Sequence, residues 1–289
     1  MQLFIQTVWD GISTGAIIAL VAVGLSLVFR ISRFINVAHV DFATVAAYVT
    51  LLVAGSTAVA FPVAALVGIG AVMALGLLAY LLVYRRLAGE RSISLIIASI
   101  GVAFFLRYLV TFIWGSNQLA FDLPVLRSIR VAGIRMAPFD IAIIATTLVV
   151  FAGLALVLRF GAFGRSLRAV ADNPELARVS GVAVDRVVKQ MWLIGSAFAA
   201  VGGIALAAKT VITPYLGWHL LVPAFAAMIL GGIGSVGGTL LGALVIGVVG
   251  ELAAMYWLPT YRLAATFGVL VLVLMIRPQG LLGKREVAR

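Results

Sequence analysis

PVAALVGIGAVMALGLLAYLLVY, residues 62–84, runs for 23 positions without a charged side chain before Arg85 and Arg86 stop it. As an α-helix it would be about 34 Å long, enough to cross roughly 30 Å of hydrocarbon. A backbone in lipid has no water to satisfy its N–H and C=O groups, so such a run must be helical. Working outward, seven more runs of the same kind occur at about 7–29, 41–60, 93–114, 139–160, 188–208, 236–257 and 263–276. Each is bounded by charge, proline or glycine. The last is short for a crossing and is expected to begin before Leu263. The expected fold class is an all-α integral membrane protein, a polytopic helical bundle of about eight spans with broken or re-entrant segments, forming one transmembrane domain over residues 1–289.

The composition agrees. Of 289 residues 64% are hydrophobic and 11% charged, against a charged share of about 25% in soluble domains. The net charge of +11 does not point to nucleic acid, because the cations fall between the apolar runs, where a membrane protein carries its loop charges. With the loop 161–187 placed in the cytoplasm, fifteen of the 21 Lys and Arg fall inside, Lys284, Arg285 and Arg289 among them. Five (Arg127, Arg130, Arg135, Lys209 and Arg262) fall outside, and Arg107 alone lies within a span. That bias obeys the positive-inside rule and sets the N-terminus out and the C-terminus in. The opening MQLFIQTVWDGISTG has no basic leader or cleavage site and is read as part of the mature chain.

Two stretches do not read as simple spans. Residues 31–40, ISRFINVAHV, are too polar for lipid contact and too short to cross; residues 222–238 are a half-length apolar run ending in GGIGSVGG. Irregular backbone at membrane depth is tolerated where protein or a cavity covers it, and such breaks mark the pathway of many transporters. Asn36, His39, Asp41, Gly231, Gly232, Gly234 and Glu251 are the translocation-pathway candidates on this basis. Hydrogen bonding within the bundle and close helix packing are their structural alternatives. Arg107 is expected to make a buried contact or to snorkel, and Tyr215, Trp218 and His219 to form an interfacial aromatic belt. Residues 115–138 are expected to form a short outer hairpin or surface helix.

The catalytic inventory is thin. There are no cysteines and only two histidines, His39 and His219. No H-E-x-x-H pair or phosphate-cradling G-x-x-x-x-G-K-[ST] loop occurs, no G-x-S-x-G elbow occurs in a strand–helix context, and no carboxylate cluster marks a metal site. The chain is read as a non-enzyme that binds no metal or cofactor itself. The loop 161–187 is more informative. Residues 166–171 and 174–179 read as two short amphipathic helices, with Asp172-Asn173-Pro174 as a break that caps the second and Gly181 as its end.

Gly164, Arg165, Arg168, Ala169, Asp172, Asn173, Pro174, Ala177 and Gly181 together resemble the coupling loop of ABC importer permeases of the branched-chain amino acid family. INVAH (35–39) followed by Val40 and Asp41, the segment AFAAMILGGIGSVGGTLLGA (224–243) and the ending RPQGLLG (277–283) are similar to three further signatures of that family, in order along nearly the whole chain. INVAH points to the LivH-like type. Val40 stands where the family has glycine, which puts in doubt a positive-φ turn there. The resemblance implies a permease in the cell (inner) membrane, paired as a heterodimer with a second permease. It also implies two cytosolic ATPase subunits that carry ATP and Mg, and an external solute-binding protein that delivers apolar amino acids. A urea or short-amide carrier of the same family, and a secondary transporter without ATPase partners, stay open as alternatives.

Overall fold

In the computed structural model the described residues are 2–56, 59–124, 126–131 and 133–283; Lys284, Arg285 and Arg289, expected on the basic side, lie outside them. Eight helices among the described residues are long and apolar enough to cross a membrane. They are α1 (Gln2–Ser32), α2 (His39–Ser56), α3 (Phe61–Ala79, prolonged by a π-helical turn Tyr80–Tyr84), α4 (Ser92–Trp114), α5 (Pro138–Phe160), α8 (Val184–Lys209), α10 (Val236–Tyr256) and α11 (Arg262–Ile276, entered through the 3₁₀ turn Pro259–Tyr261). The final span begins before Leu263, as its length required. Between them lie α6 (Ala162–Asp172), α7 (Pro174–Val179), the 14-residue α9 (Trp218–Gly231) and a hairpin of β1 (Ile129–Val131) and β2 (Ile134–Met136). The hairpin takes the place where a hairpin or surface helix was expected.

The bundle is built around α1. Residues Gly15 to Val28 of this helix are all buried, whereas α3, α5 and α11 turn most of their surface outward. Apolar solvation cannot drive two helices together in lipid, so close backbone approach must. The sequence of α1 supplies it with G-x-x-x-G at Gly11 and Gly15, against which α10 lies. A Cβ on Gly11 would stand 2.6 Å from Val248 Cα, and one on Gly15 2.9 Å from Leu244 Cα. On another side of α1, Gly24 faces the Gly195 carbonyl of α8.

The chain crosses so that its two ends differ. At one end the hairpin sits on the start of α1, where Gln6 accepts from the Arg135 amide (2.8 Å) and donates to the Arg135 carbonyl (3.0 Å). At the other end lie α6 and α7, the foot of α1 and the last described residues, 277–283.

Candidate functional site

The polar stretch 31–40 is a re-entrant segment. α1 stops at Ser32, the chain runs on without helix, and α2 starts at His39 with Phe34, Asn36, Ala38 and His39 all buried. His39 has already climbed to the level of Gly24, its ring beside Gly24 and Phe198. Val40, the departure from the family pattern, is helical, and the left-handed residue is Arg33 (φ +54°). No turn at Val40 is needed. From the hairpin end a second segment, 210–217, dips in: the Gly217 amide donates to Thr44 Oγ1 (2.9 Å), and Gly217 lies against the Val40 carbonyl. Only a residue without Cβ allows that approach. α9 therefore starts inside the bundle, and its 14 residues span about 21 Å, short of a full crossing. Two segments from opposite ends thus meet at the first turn of α2, the arrangement of broken helices in transporters.

Asp41 lies in that turn and is committed to Arg107 of α4. The guanidinium donates from Nε (3.1 Å) and Nη2 (3.0 Å) to Oδ1 and from Nη2 to Oδ2 (3.2 Å). Its carbon sits 4.5 Å from the Trp218 ring centroid, 5.3 Å from Tyr215 and 5.6 Å from Phe104. The buried-contact alternative for Arg107 is the one observed. Trp218 and Tyr215, expected as belt residues, face this cation while keeping 42% and 49% of their surface exposed. Asn36 accepts from Tyr84 Oη (3.1 Å), and the Val37 amide donates to Ser99 Oγ (3.1 Å). The segment leading into α2 and the first turn of α2 are thus held by the π-helical end of α3, by α4 and by the start of α9.

The remaining pathway candidates lie elsewhere. Glu251 lines a cavity of about 480 Å³ at the hairpin end with Asp10, Thr14, Asp140, Lys209 and Arg262. Two ion pairs cross it, Lys209–Asp140 and Arg262–Glu251, both at 2.7 Å. Each is tied to α1, through Ser13 donating to Asp140 (2.6 Å) and Thr14 donating to Glu251 (3.1 Å). Gly231, Gly232 and Gly234 belong to the α6–α7 end. Gly232 (φ +101°) and Gly234 (φ +80°) make the turn into α10, and the RPQGLLG segment docks there by Leu281 N–H to Leu230 O (2.8 Å) and Leu282 N–H to Gly231 O (3.0 Å). A second cavity, about 770 Å³, opens beside this turn and is lined by Arg30, Arg33, Asp172, Gly234 and Gln279. Ile17 borders the first cavity and Phe29 the second, and the stretch of α1 between them is buried.

The loop 161–187 folds as read. Asn173 Oδ1 accepts from Glu175 N–H (3.0 Å) and Leu176 N–H (2.9 Å), capping α7, and Gly181 (φ +83°) follows its end. α6 begins earlier than expected, at Ala162, and buries Gly164, Leu167, Val170 and Ala171 on one face. Ala177 is buried; Asp172, Asn173 and Pro174 are exposed, and Ala169 is half-buried. Arg165 and Arg168 turn back to α5, donating to Phe160 O (3.2 Å) and Leu158 O (2.7 Å). The large apolar side chains of α7 that reach outward are Leu176, 64% exposed, and Val179, 87% exposed. Their signal in the sequence is an apolar residue on the outer side of a polar six-residue helix.

The family model described as "Branched-chain amino acid transport system / permease component" matches residues 7–276. The high-affinity branched-chain amino acid transport system permease protein LivH of Salmonella typhimurium is 30% identical over 302 aligned positions, covering 99% of this chain and 97% of its own. LivH of Escherichia coli K12 gives the same figures. BraD, the corresponding permease protein of Pseudomonas aeruginosa, is 29% identical with 99% and 98% covered. In fold the chain is similar to PsaBC from Streptococcus pneumoniae, solved in complex with Fab, with TM-score 0.50, 14% identity and coverage of 93% and 91%. This chain belongs to the family of permease components of branched-chain amino acid transport systems.

Proposed function

We propose that this chain is the transmembrane permease of an ATP-driven importer of branched-chain or similar apolar amino acids in the cell inner membrane. It pairs there with a second permease, and two cytosolic ATPase subunits bind ATP and Mg. The α6–α7 end faces the cytoplasm with the C-terminus, and the hairpin end receives a solute-binding protein. The observation that carries this reading is the exposed apolar pair Leu176 and Val179 on a capped helix whose neighbour α6 is seated in the bundle. An apolar anchor ringed by charge is what a protein groove takes.

The burial of α1 between the two cavities supports alternating access. A cavity opens at each end, α1 lines both, and substrate passes only if the helices shift between two packings. Closure of the ATPase pair supplies the difference between those packings through α7 and α6. Selection rests with the binding protein, so the path needs few polar groups.

The test is uptake of labelled leucine by cells carrying the full transport system. ATP depletion abolishes uptake and a proton uncoupler at constant ATP leaves it intact. Uptake that follows the proton gradient and ignores ATP would overturn the proposal in favour of a secondary transporter.

A further inference from the structure

Among the described residues Arg33 is the one non-glycine residue with positive φ (+54°). A Cβ there crowds the backbone, so glycine or asparagine would occupy the position with less strain. The backbone role is that of a helix C-cap, with the Arg33 amide donating to Phe29 O (2.9 Å) at the end of α1. Nothing in that role calls for a guanidinium. The side chain reaches further than the cap requires. Its Nη2 donates to Ala171 O (2.9 Å) in the last turn of α6, where the helix dipole is negative and carbonyls lack helical partners.

α6 is thereby pinned at both ends. Arg165 and Arg168 fasten its start to the carbonyls of α5, and Arg33 fastens its end to the foot of α1. Leu167, Val170 and Ala171 seat it between them. Beyond Asn173 it continues into α7. On the other side of Arg33 the chain enters the buried segment at once, with Phe34 against Tyr84 (5.3 Å), Asn36 bonded to Tyr84, and then α2.

We infer that Arg33 is the positioning residue that carries displacement of α6 and α7 into the re-entrant segment and α2, its guanidinium holding Ala171 O while its strained backbone sets the start of that segment. This rests on the importer reading above, in which α7 is the element that moves. A strained residue persists where its surroundings over-determine it, and such residues gather at switch regions.

The test uses the complete transporter in liposomes, with ATP hydrolysis and leucine import measured on the same preparation for R33N, R33G and R33K. Asparagine and glycine keep the left-handed backbone and lose the reach to Ala171; lysine keeps a cation that reaches one carbonyl. R33N and R33G assemble, hydrolyse ATP within about twofold of the parent, and import at least tenfold less leucine per ATP. R33K recovers a third or more of the parent ratio. An R33G complex as well coupled as the parent would overturn the inference. So would loss of assembly in R33N, which would mark Arg33 as a structural cap. A parent complex that hydrolyses ATP without importing would overturn the importer reading itself, which separates the two failures.

Discussion

Arg107 and Asp41, 66 residues apart on α4 and α2, form a bidentate ion pair with 4% and 1% of their side chains exposed. The pair ties the first turn of α2 to α4, and Trp218 and Tyr215 close over the cation from the start of α9. A buried charge left alone costs several kcal/mol, whereas a pair replaced by apolar residues of similar volume is often neutral.

The two halves of the pair are unequal when separated. An orphaned carboxylate can be neutralised by a proton, but a guanidinium stays charged. D41N is therefore expected to destabilise by about 3–5 kcal/mol, R107M by less, and D41L/R107M to recover most of the loss. Unfolding of the detergent-solubilised chain measures this order. Equal effects of D41N and R107M would argue against the pair as the source.

The α1–α10 contact depends on absent side chains. A Cβ on Gly15 would lie 2.9 Å from Leu244 Cα and 3.0 Å from the Ala243 carbonyl, both backbone atoms that cannot turn aside. G15A is expected to cost about 1–3 kcal/mol by overpacking, and G15L to prevent accumulation of folded protein. Gly70, where an added Cβ meets open space, is the control, and G70A should leave the melting temperature within a degree or two.

Most of the helices were legible because lipid leaves the backbone one choice and the apolar runs end in charge or proline. The cap at Asn173 was legible for a local reason, its side chain reaching amides two and three residues on. The dip at 210–217 was not. Leu216 within it and Leu220 after it are as apolar as any span, and what fixes the break is Gly217 lying against the Val40 carbonyl, distant in sequence. Arg107 could be recognised as costly, but its choice of Asp41 over water depended on α2 and α4 meeting. An unusual residue type marks a pathway candidate wherever it falls in the chain, without saying which candidates meet. The structure gathers Asn36, His39 and Asp41 and leaves Glu251 and the glycine turn at opposite ends.

At the tip of α7, L176A/V179A removes two exposed apolar side chains without touching the buried face of α6. Stability should change by less than about 0.5 kcal/mol per site. Truncating two interface anchors at about 1–2 kcal/mol each lowers affinity for the ATPase subunits roughly 30- to 1,000-fold. Titration of the purified permease pair with ATPase reads this directly, and unchanged affinity would remove these two residues from the interface.

The hairpin carries Arg130 and Arg135, directly paired across the ribbon, with Arg127 two residues before it, all three exposed. Like charges in that position repel. Lys209 and Arg262, the other cations expected outside, are both paired with carboxylates. An acidic surface on the binding protein would relieve the repulsion. R127E/R130E/R135E is expected to raise the binding-protein concentration for half-maximal uptake tenfold or more, with the parent value rising steeply with salt. A value insensitive to both charge reversal and salt would place docking elsewhere.

What the chain assembles with bears most directly on its role as an importer permease. The measurement is the mass and subunit composition of the complex purified in mild detergent on a tagged copy of this chain, from its own membranes. One copy of this chain, one different permease and two ATPase subunits are expected. A chain that emerges alone or as a homodimer, with no ATPase even after gentle cross-linking, would contradict that role.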